Sequence, residues 1–336
     1  MTVSTLRELY AFNRWANDKT LAIADGLSAE QLDRSFEMGL GSIRNTLHHI
    51  WAAELIWLER WLQGGGAVKY PEIEAGLAVS ALAERCAEAH RRRDAFVTAL
   101  QEADLSRRIS YVNRKGETWT YELGQMLLHV CNHGIHHRAQ FINMVRRAGG
   151  PVPARGFDYI FYRLEKIKEA PPPLDLATIR KYEAYADWGT RRMLDLVAKL
   201  TDAQLDRPFE MGLGTLRKTL SHLVIAEEWW HTNWTKGPAG EFPPADDSIA
   251  LADLSQRFET AWAARDRFVN RLSEADLPRP VTVKPRPDLT LDFPLGVSLV
   301  QLCGHATHHR AQALNMVRQL GAPTREFDYL LMFDES

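Results

Sequence analysis

Twelve histidines are distributed unevenly over the 336 residues. His133 and His137 stand in an HxxxH arrangement, and His305 and His309 repeat it near the other end of the chain. Residues four apart on a helix differ by about 40° in direction, so each pair projects from one face. A third histidine, His49 for the first pair and His222 for the second, falls on a different predicted helix. Facing helices in a bundle approach to within about 10 Å, close enough for the third imidazole to complete a cluster. Three neutral imidazoles leave a divalent cation open positions for water or substrate, whereas structural sites are usually closed by four ligands. Such an ion is a Lewis acid that activates bound water or thiol near neutral pH. An isolated HxxxH also occurs on solvated helix faces. What favours metal here is that pair and third histidine are retained together in two stretches that have diverged elsewhere.

The remaining candidates are weaker. His129 lies one turn before His133, but its counterpart is Gln301, so it reads as a pocket or supporting group. His48 is replaced by Ser221. His136 and His308 point about 60° off the ligand face and read as structural. His90 and His231 lack histidine counterparts and read as surface residues. Cys131 and Cys303 precede a ligand by two positions, about 200° around the helix, and so read as core. Arg93 and Arg265 interrupt apolar stripes, which calls for an ion pair inside the bundle or an anionic ligand. Arg138, Gln140, Arg310 and Gln312 flank the last histidines and could orient them. Trp15, Trp57, Trp188 and Trp230 read as core. No HExxH motif is present and no general base stands out beside the ligands, so no catalytic residue is assigned.

The chain carries an internal duplication. FEMGLG occurs at Phe36–Gly41 and again at Phe209–Gly214, and HHRAQ at His136–Gln140 returns at His308–Gln312. The register changes by one residue in the loop after Trp61 or Trp234, where a surface segment absorbs length changes. FDY follows each copy, at Phe157 and Phe327. Ala170-Pro171-Pro172-Pro173 is a stiff spacer, which sets the domains at 1–170 and 174–336.

Each copy reads as four long helices. The first runs from about Thr5 to Gly26, opened by a Thr5-x-x-Glu8 capping box. Short turns begin at the boxes Ser28-x-x-Gln31 and Thr201-x-x-Gln204. The second helix follows the Gly39–Gly41 turn and ends near Leu62. The third carries Leu82, Cys86, Ala89, Arg93, Phe96 and Leu100 on one side, mirrored by Leu254, Phe258, Ala261, Arg265, Phe268 and Leu272. Ile109 to Tyr121 alternates around Asn113–Gly116 like a short hairpin. The fourth helix covers about Glu122 to Ala148 and stops at Gly149-Gly150-Pro151. The fold class is therefore all-α, with two tandem four-helix bundles.

Composition excludes several function classes. The formal net charge is −2, with 45% hydrophobic and 25% charged residues, so neither a nucleic-acid nor an anionic-membrane footprint is expected. No apolar run reaches the roughly 18 residues of a spanning helix. The charged N-terminal stretch is unlike a signal peptide. Three cysteines without CxxC spacing point to a reduced, cytoplasmic compartment.

The motifs L-x-H-[IL]-x-x-A-E (Leu47–Glu54 and Leu220–Glu227) and HxxxHRAQ (His133–Gln140 and His305–Gln312) resemble the DinB, or YfiT-like, metalloprotein superfamily. The resemblance covers nearly the whole chain, once per copy. It implies a four-helix bundle holding a divalent metal, often nickel or zinc, on His49, His133 and His137 and on His222, His305 and His309. Characterised members include S-transferases using low-molecular-weight thiols and a thiol-dependent isomerase. The resemblance also implies a small-molecule substrate or thiol as partner, and an intramolecular pseudo-dimer open to further oligomerisation. The leading expectation is a thiol-dependent transferase or detoxification enzyme. The alternatives are a stress-response or ligand-binding protein with structural metal, and a metal-dependent hydrolase or isomerase.

Overall fold

Helix α1 (Val3–Asp25) starts earlier than its sequence suggests, because Thr2 caps it by accepting from the Thr5 backbone N–H. The expected box at Thr5–Glu8 is thereby corrected. Thr5 lies inside the helix and is fully buried, since the stripe Leu6, Leu9, Phe12 and Ala16 continues back to Val3. In the computed structural model, which describes residues 1–153, 156–324 and 327–334, three further long helices follow. The short α2 (Ala29–Asp33) carries the Ser28/Gln31 capping box as expected. Helix α3 (Ile43–Leu62) is capped by Ser42 and is followed by α4 (Val79–Ala99). Strands β1 (Arg108–Val112) and β2 (Thr118–Glu122) pair antiparallel, with Ile109 opposite Tyr121. Helix α5 (Leu123–Arg147) ends before Gly149, whose φ of +70° suits glycine. Helices α1 and α3 each pack against both α4 and α5, closing a four-helix bundle around Leu6, Ile43, Leu58, Trp61 and Phe141.

The second copy repeats this plan. It comprises α6 (Tyr159–Glu165), α7 (Leu176–Val197), α8 (Asp202–Leu205), α9 (Leu216–Lys236) and α10 (Leu251–Val269), then the β3 (Pro280–Arg286) and β4 (Leu289–Pro294) hairpin and α11 (Leu295–Gln319). Helix α11 packs on α7 and α9, and α10 packs on α9. The box Thr201/Gln204 opens α8 as expected.

The compact units divide the chain differently from a cut in the proline spacer. One contains Met1–Ala154 together with Glu326–Ser336, and the other spans Arg155–Arg325. The segment after the first copy packs, through α6, on α11. The segment after the second copy packs, through a 3₁₀ turn at Tyr329–Phe333, on α5. Each segment is driven by its own apolar side chains: Phe157, Tyr159, Ile160 and Tyr162 are buried in one case, Phe327, Tyr329 and Leu330 in the other.

In each bundle the arginine that interrupts the apolar stripe forms an ion pair. Glu54 accepts from Arg93 Nη1 at 2.6 Å and from the Nδ2 groups of Asn13 and Asn17 at 2.7 Å. His90 lies 3.3 Å from the same carboxylate and is only 2% exposed. Its expected surface position is thus corrected, because it faces the buried Glu54 across the bundle. In the second bundle Arg265 bonds Glu227 at 2.8 Å and Asp187 at 2.6 Å, with Glu183 at 3.8 Å. The three cysteines are buried, as core packing requires.

Candidate metal centre

The second and fourth long helices of each bundle supply the histidines. In the first bundle α3 carries His49 and α5 carries His133 and His137, and the cluster forms where these two helices pack together. One ring nitrogen from each of the three lies within 4.8 Å of the others, and His222, His305 and His309 repeat the arrangement. The Nε2 atoms of His49 and His133 are 3.1 Å apart, and those of His222 and His305 2.9 Å. Two imidazole nitrogens bound tetrahedrally to one ion with bonds of 2.0–2.1 Å stand about 3.3 Å apart, so this spacing suits a shared ion. All six histidines are partly accessible, neither sealed in the core nor fully solvated.

The outward ring nitrogens are held by neighbouring side chains. His137 Nδ1 donates to Gln140 Oε1 at 2.8 Å, and His309 Nδ1 does the same to Gln312. An amide oxygen can only accept, which puts the proton on Nδ1 and leaves the Nε2 lone pair facing the cluster. The amide nitrogens of Gln140 and Gln312 reach His136 and His308 at 3.0 Å, which explains why both histidines are retained off the ligand face. His49 Nδ1 lies 2.8 Å from the Tyr70 hydroxyl. His305 Nδ1 is 3.7 Å from Asp158 Oδ2, whose carboxylate also accepts from Gln301 at 2.9 Å. Burial opposes ionisation of Asp158, but contact with His305 prevails and holds its carboxyl at about 2. The donor set therefore fits a divalent cation in each bundle.

Burial also keeps His49, His133, His137, His222 and His309 in the neutral, ligating form. It lowers His49 to about 4, with Arg114 adding to the effect, and His222 to about 3. His133, His137 and His309 are pushed well below the usual histidine range by burial and by one another.

The FEMGLG turn belongs to the same construction. Gly39 has φ +54°, and a Cβ there would stand 2.9 Å from Gln140 Oε1. Gly212, at φ +53°, stands likewise 2.7 Å from Gln312. Only glycine combines that backbone conformation with close approach to the amide that orients the last histidine.

Several sequence expectations take definite positions. His129 is buried between Trp57, 5.0 Å away, and His133, 5.7 Å away, beside the cluster. Arg138 bonds Asn13 and Asn17. Cys131 points into the core, where burial raises its thiol to about 12. Trp57 and Trp230 are buried, while Trp15 and Trp188 are half-buried. Glu54 and Glu227 of the second-helix motif serve the ion pairs and are not part of either three-histidine cluster. Sequence reasoning missed Tyr70, its counterpart Phe242, whose ring lies 5.1 Å from that of His222 at a tilt of 48°, and Asp158. The repeated FDY string was the available signal for Asp158; Tyr70 lies in a loop with no pattern of its own.

The fold and the two clusters define a tandem four-helix-bundle protein with a three-histidine, metal-competent centre in each bundle. The DinB family model matches residues 1–169 and again 176–335, and the chain belongs to the DinB family. It is similar to "Protein DinB" of Bacillus subtilis (strain 168), with 24% identity over 153 residues that span 42% of this chain and 85% of that protein. No solved structure matches the chain significantly. Among the described residues, no helix is long and apolar enough to cross a membrane.

Proposed function

We propose that the protein is a metal-dependent small-molecule enzyme of DinB type, acting as a thiol-dependent S-transferase. The observation that carries this reading is the set of three partly accessible imidazoles in each bundle, converging with no fourth protein ligand among the described residues. His49, His133 and His137 hold one divalent cation, nickel or zinc, and His222, His305 and His309 hold another. When bound, the ion supplies Lewis acidity that lowers the pKa of a thiol or water at its open position. The chain's own contribution is positioning: Gln140 and Gln312 fix the tautomer of the last ligand in each cluster, and Tyr70 and Asp158 brace His49 and His305. Burial keeps His49 and His222 unprotonated near neutral pH.

Elemental analysis of protein purified without chelators tests the first half, with two ions expected per chain. Incubation with an electrophile and low-molecular-weight thiols tests the second. Conjugation that depends on the thiol and is lost in His137→Ala with His309→Ala supports the transferase. Hydrolysis of the electrophile without thiol would replace it by a hydrolase. Metal binding with stability loss in those variants, and no turnover of any electrophile, would replace it by a binding protein with structural metal.

A further inference from the structure

The two clusters share their histidines but differ in the charge of their surroundings. In the first bundle the loop after α3 is fastened to β1, with the Gly66 N–H donating to Ser110 O at 2.9 Å, and it presents Tyr70 to His49. The Arg114 guanidinium, from the hairpin turn, lies 3.5 Å from the Tyr70 ring centre. Arg60, from the last turn of α3, lies 4.1 Å from the Tyr111 ring and 4.7 Å from that of Trp57, the residue packed on His129. Both guanidiniums act electrostatically on the Tyr70 phenol.

Neither arginine has a carboxylate partner among the described residues. Among the described residues Arg60 donates to the Val112 carbonyl at 3.3 Å, and its Nε is buried without a partner. Arg114 rests on the Tyr70 ring. His129 is likewise buried with Nδ1 unpartnered. The second bundle lacks this combination: Asn233, Phe242, Val283 and Gln301 stand at the positions of Arg60, Tyr70, Tyr111 and His129. Asn233 and Gln301 are hydrogen-bonded within the bundle. Arg286, the counterpart of Arg114, is exposed and lies 3.9 Å from Asp288.

We propose that the first bundle has, beside its histidine cluster, a binding site for a small organic anion, with Arg60 and Arg114 facing its carboxylate and Tyr70, Tyr111 and Trp57 its body, and that the second bundle has none. Arg60, half-buried against aromatic rings with its Nε unpartnered, is costly to desolvate, and a carboxylate that also meets the exposed Arg114 relieves that cost through charge-assisted hydrogen bonds. Aromatic walls with a few convergent polar groups are the usual make-up of a small-molecule site. The inference rests on the small-molecule reading above for where the ligand sits, and is independent of the metal.

The test is a titration of the metal-free full chain with 4-fluorobenzoate and with its neutral analogue 4-fluorobenzamide, followed by fluorine NMR. One equivalent of benzoate per chain is expected, with the benzamide at least about tenfold weaker, as loss of a charged hydrogen bond implies. Arg60→Gln and Arg114→Gln should each weaken benzoate by at least about tenfold, and Arg286→Gln should leave it unchanged. Arg114 is exposed at a hairpin turn, so its replacement does not endanger the bundle, and circular dichroism checks Arg60→Gln. Absent benzoate binding, two equivalents, equal binding of the benzamide, or indifference to Arg114→Gln would each overturn the proposal. Metal content is counted separately: no metal with arginine-dependent benzoate binding sinks the transferase, while metal without benzoate binding sinks only the anion site.

Discussion

Gln140 accepts a hydrogen bond from His137 Nδ1 at 2.8 Å through its amide oxygen, and its amide nitrogen reaches His136 at 3.0 Å. One side chain thus fixes the tautomer of a cluster histidine and anchors its neighbour, and Gln312 does the same in the second bundle. Replacing Gln140 by Leu keeps the bulk but removes both bonds. Metal affinity of the first site should fall by about 10- to 100-fold, as when supporting partners of ligating histidines are lost. Chelator competition monitored by elemental analysis should show one weakened ion and one unchanged; two unchanged ions would deny the amide its role.

The turn glycine should be as sensitive as the amide it faces. Gly39→Ala forces a side chain into the left-handed region and places Cβ 2.9 Å from Gln140 Oε1. Denaturant unfolding should show a loss of about 1–2 kcal/mol from the backbone alone. Gly41→Ala has φ +84° but no atom within 4 Å of its Cβ, so it isolates the backbone part. Equal metal affinity in the two variants would show that the contact with Gln140 is unimportant.

Asp158 should matter to one cluster only. Its carboxylate stands 3.7 Å from His305 Nδ1 and is held by Gln301. Asp158→Asn should weaken the second metal site by about tenfold and spare the first. Combining it with His137→Ala, which removes the first site, lets a single titration report the second directly.

The two buried ion-pair clusters should respond to pH in opposite directions. Burial opposes ionisation of Glu54, but Arg93 and His90 prevail and depress its carboxyl. Its stabilisation is therefore present above the ordinary carboxylate range and lost as pH falls through the folded value. Glu183 is raised to about 8 and Glu227 to about 7, burial being the largest cause and Arg265 opposing it. These two share one guanidinium with Asp187 and the exposed Asp266. Stability from them is full below about pH 4.5 and declines as pH rises through 7 to 8. Hydrogen exchange, corrected for intrinsic rate, should show α7 and α10 loosening between pH 6 and 9 while α1 and α4 do not. Glu183→Gln should reduce the difference, and Glu183→Gln with Glu227→Gln should abolish it. Glu54→Gln, which leaves Arg93 without its buried partner, should cost about 3–5 kcal/mol.

Much of this was legible from the sequence because it is set by local periodicity. The HxxxH spacing fixes the relative direction of His133 and His137 on any helix, and the glycine and proline signals bound those helices. The duplication of His49, His133 and His137 as His222, His305 and His309 named both clusters without reference to packing. The Ser28/Gln31 and Thr201/Gln204 boxes likewise depend only on residues three apart. Tertiary structure decided what depends on long-range approach. His90 looks like a surface residue until Glu54 is placed opposite it. The FDY segment is spatially part of the other repeat's bundle because its aromatic side chains find their buried surface there, which no local rule reveals. Tyr70, Arg60 and Arg114 meet only when a loop, a helix end and a hairpin turn are brought together, so the charge beside the first cluster belongs to the fold, whereas the cluster's own histidines belong to the sequence.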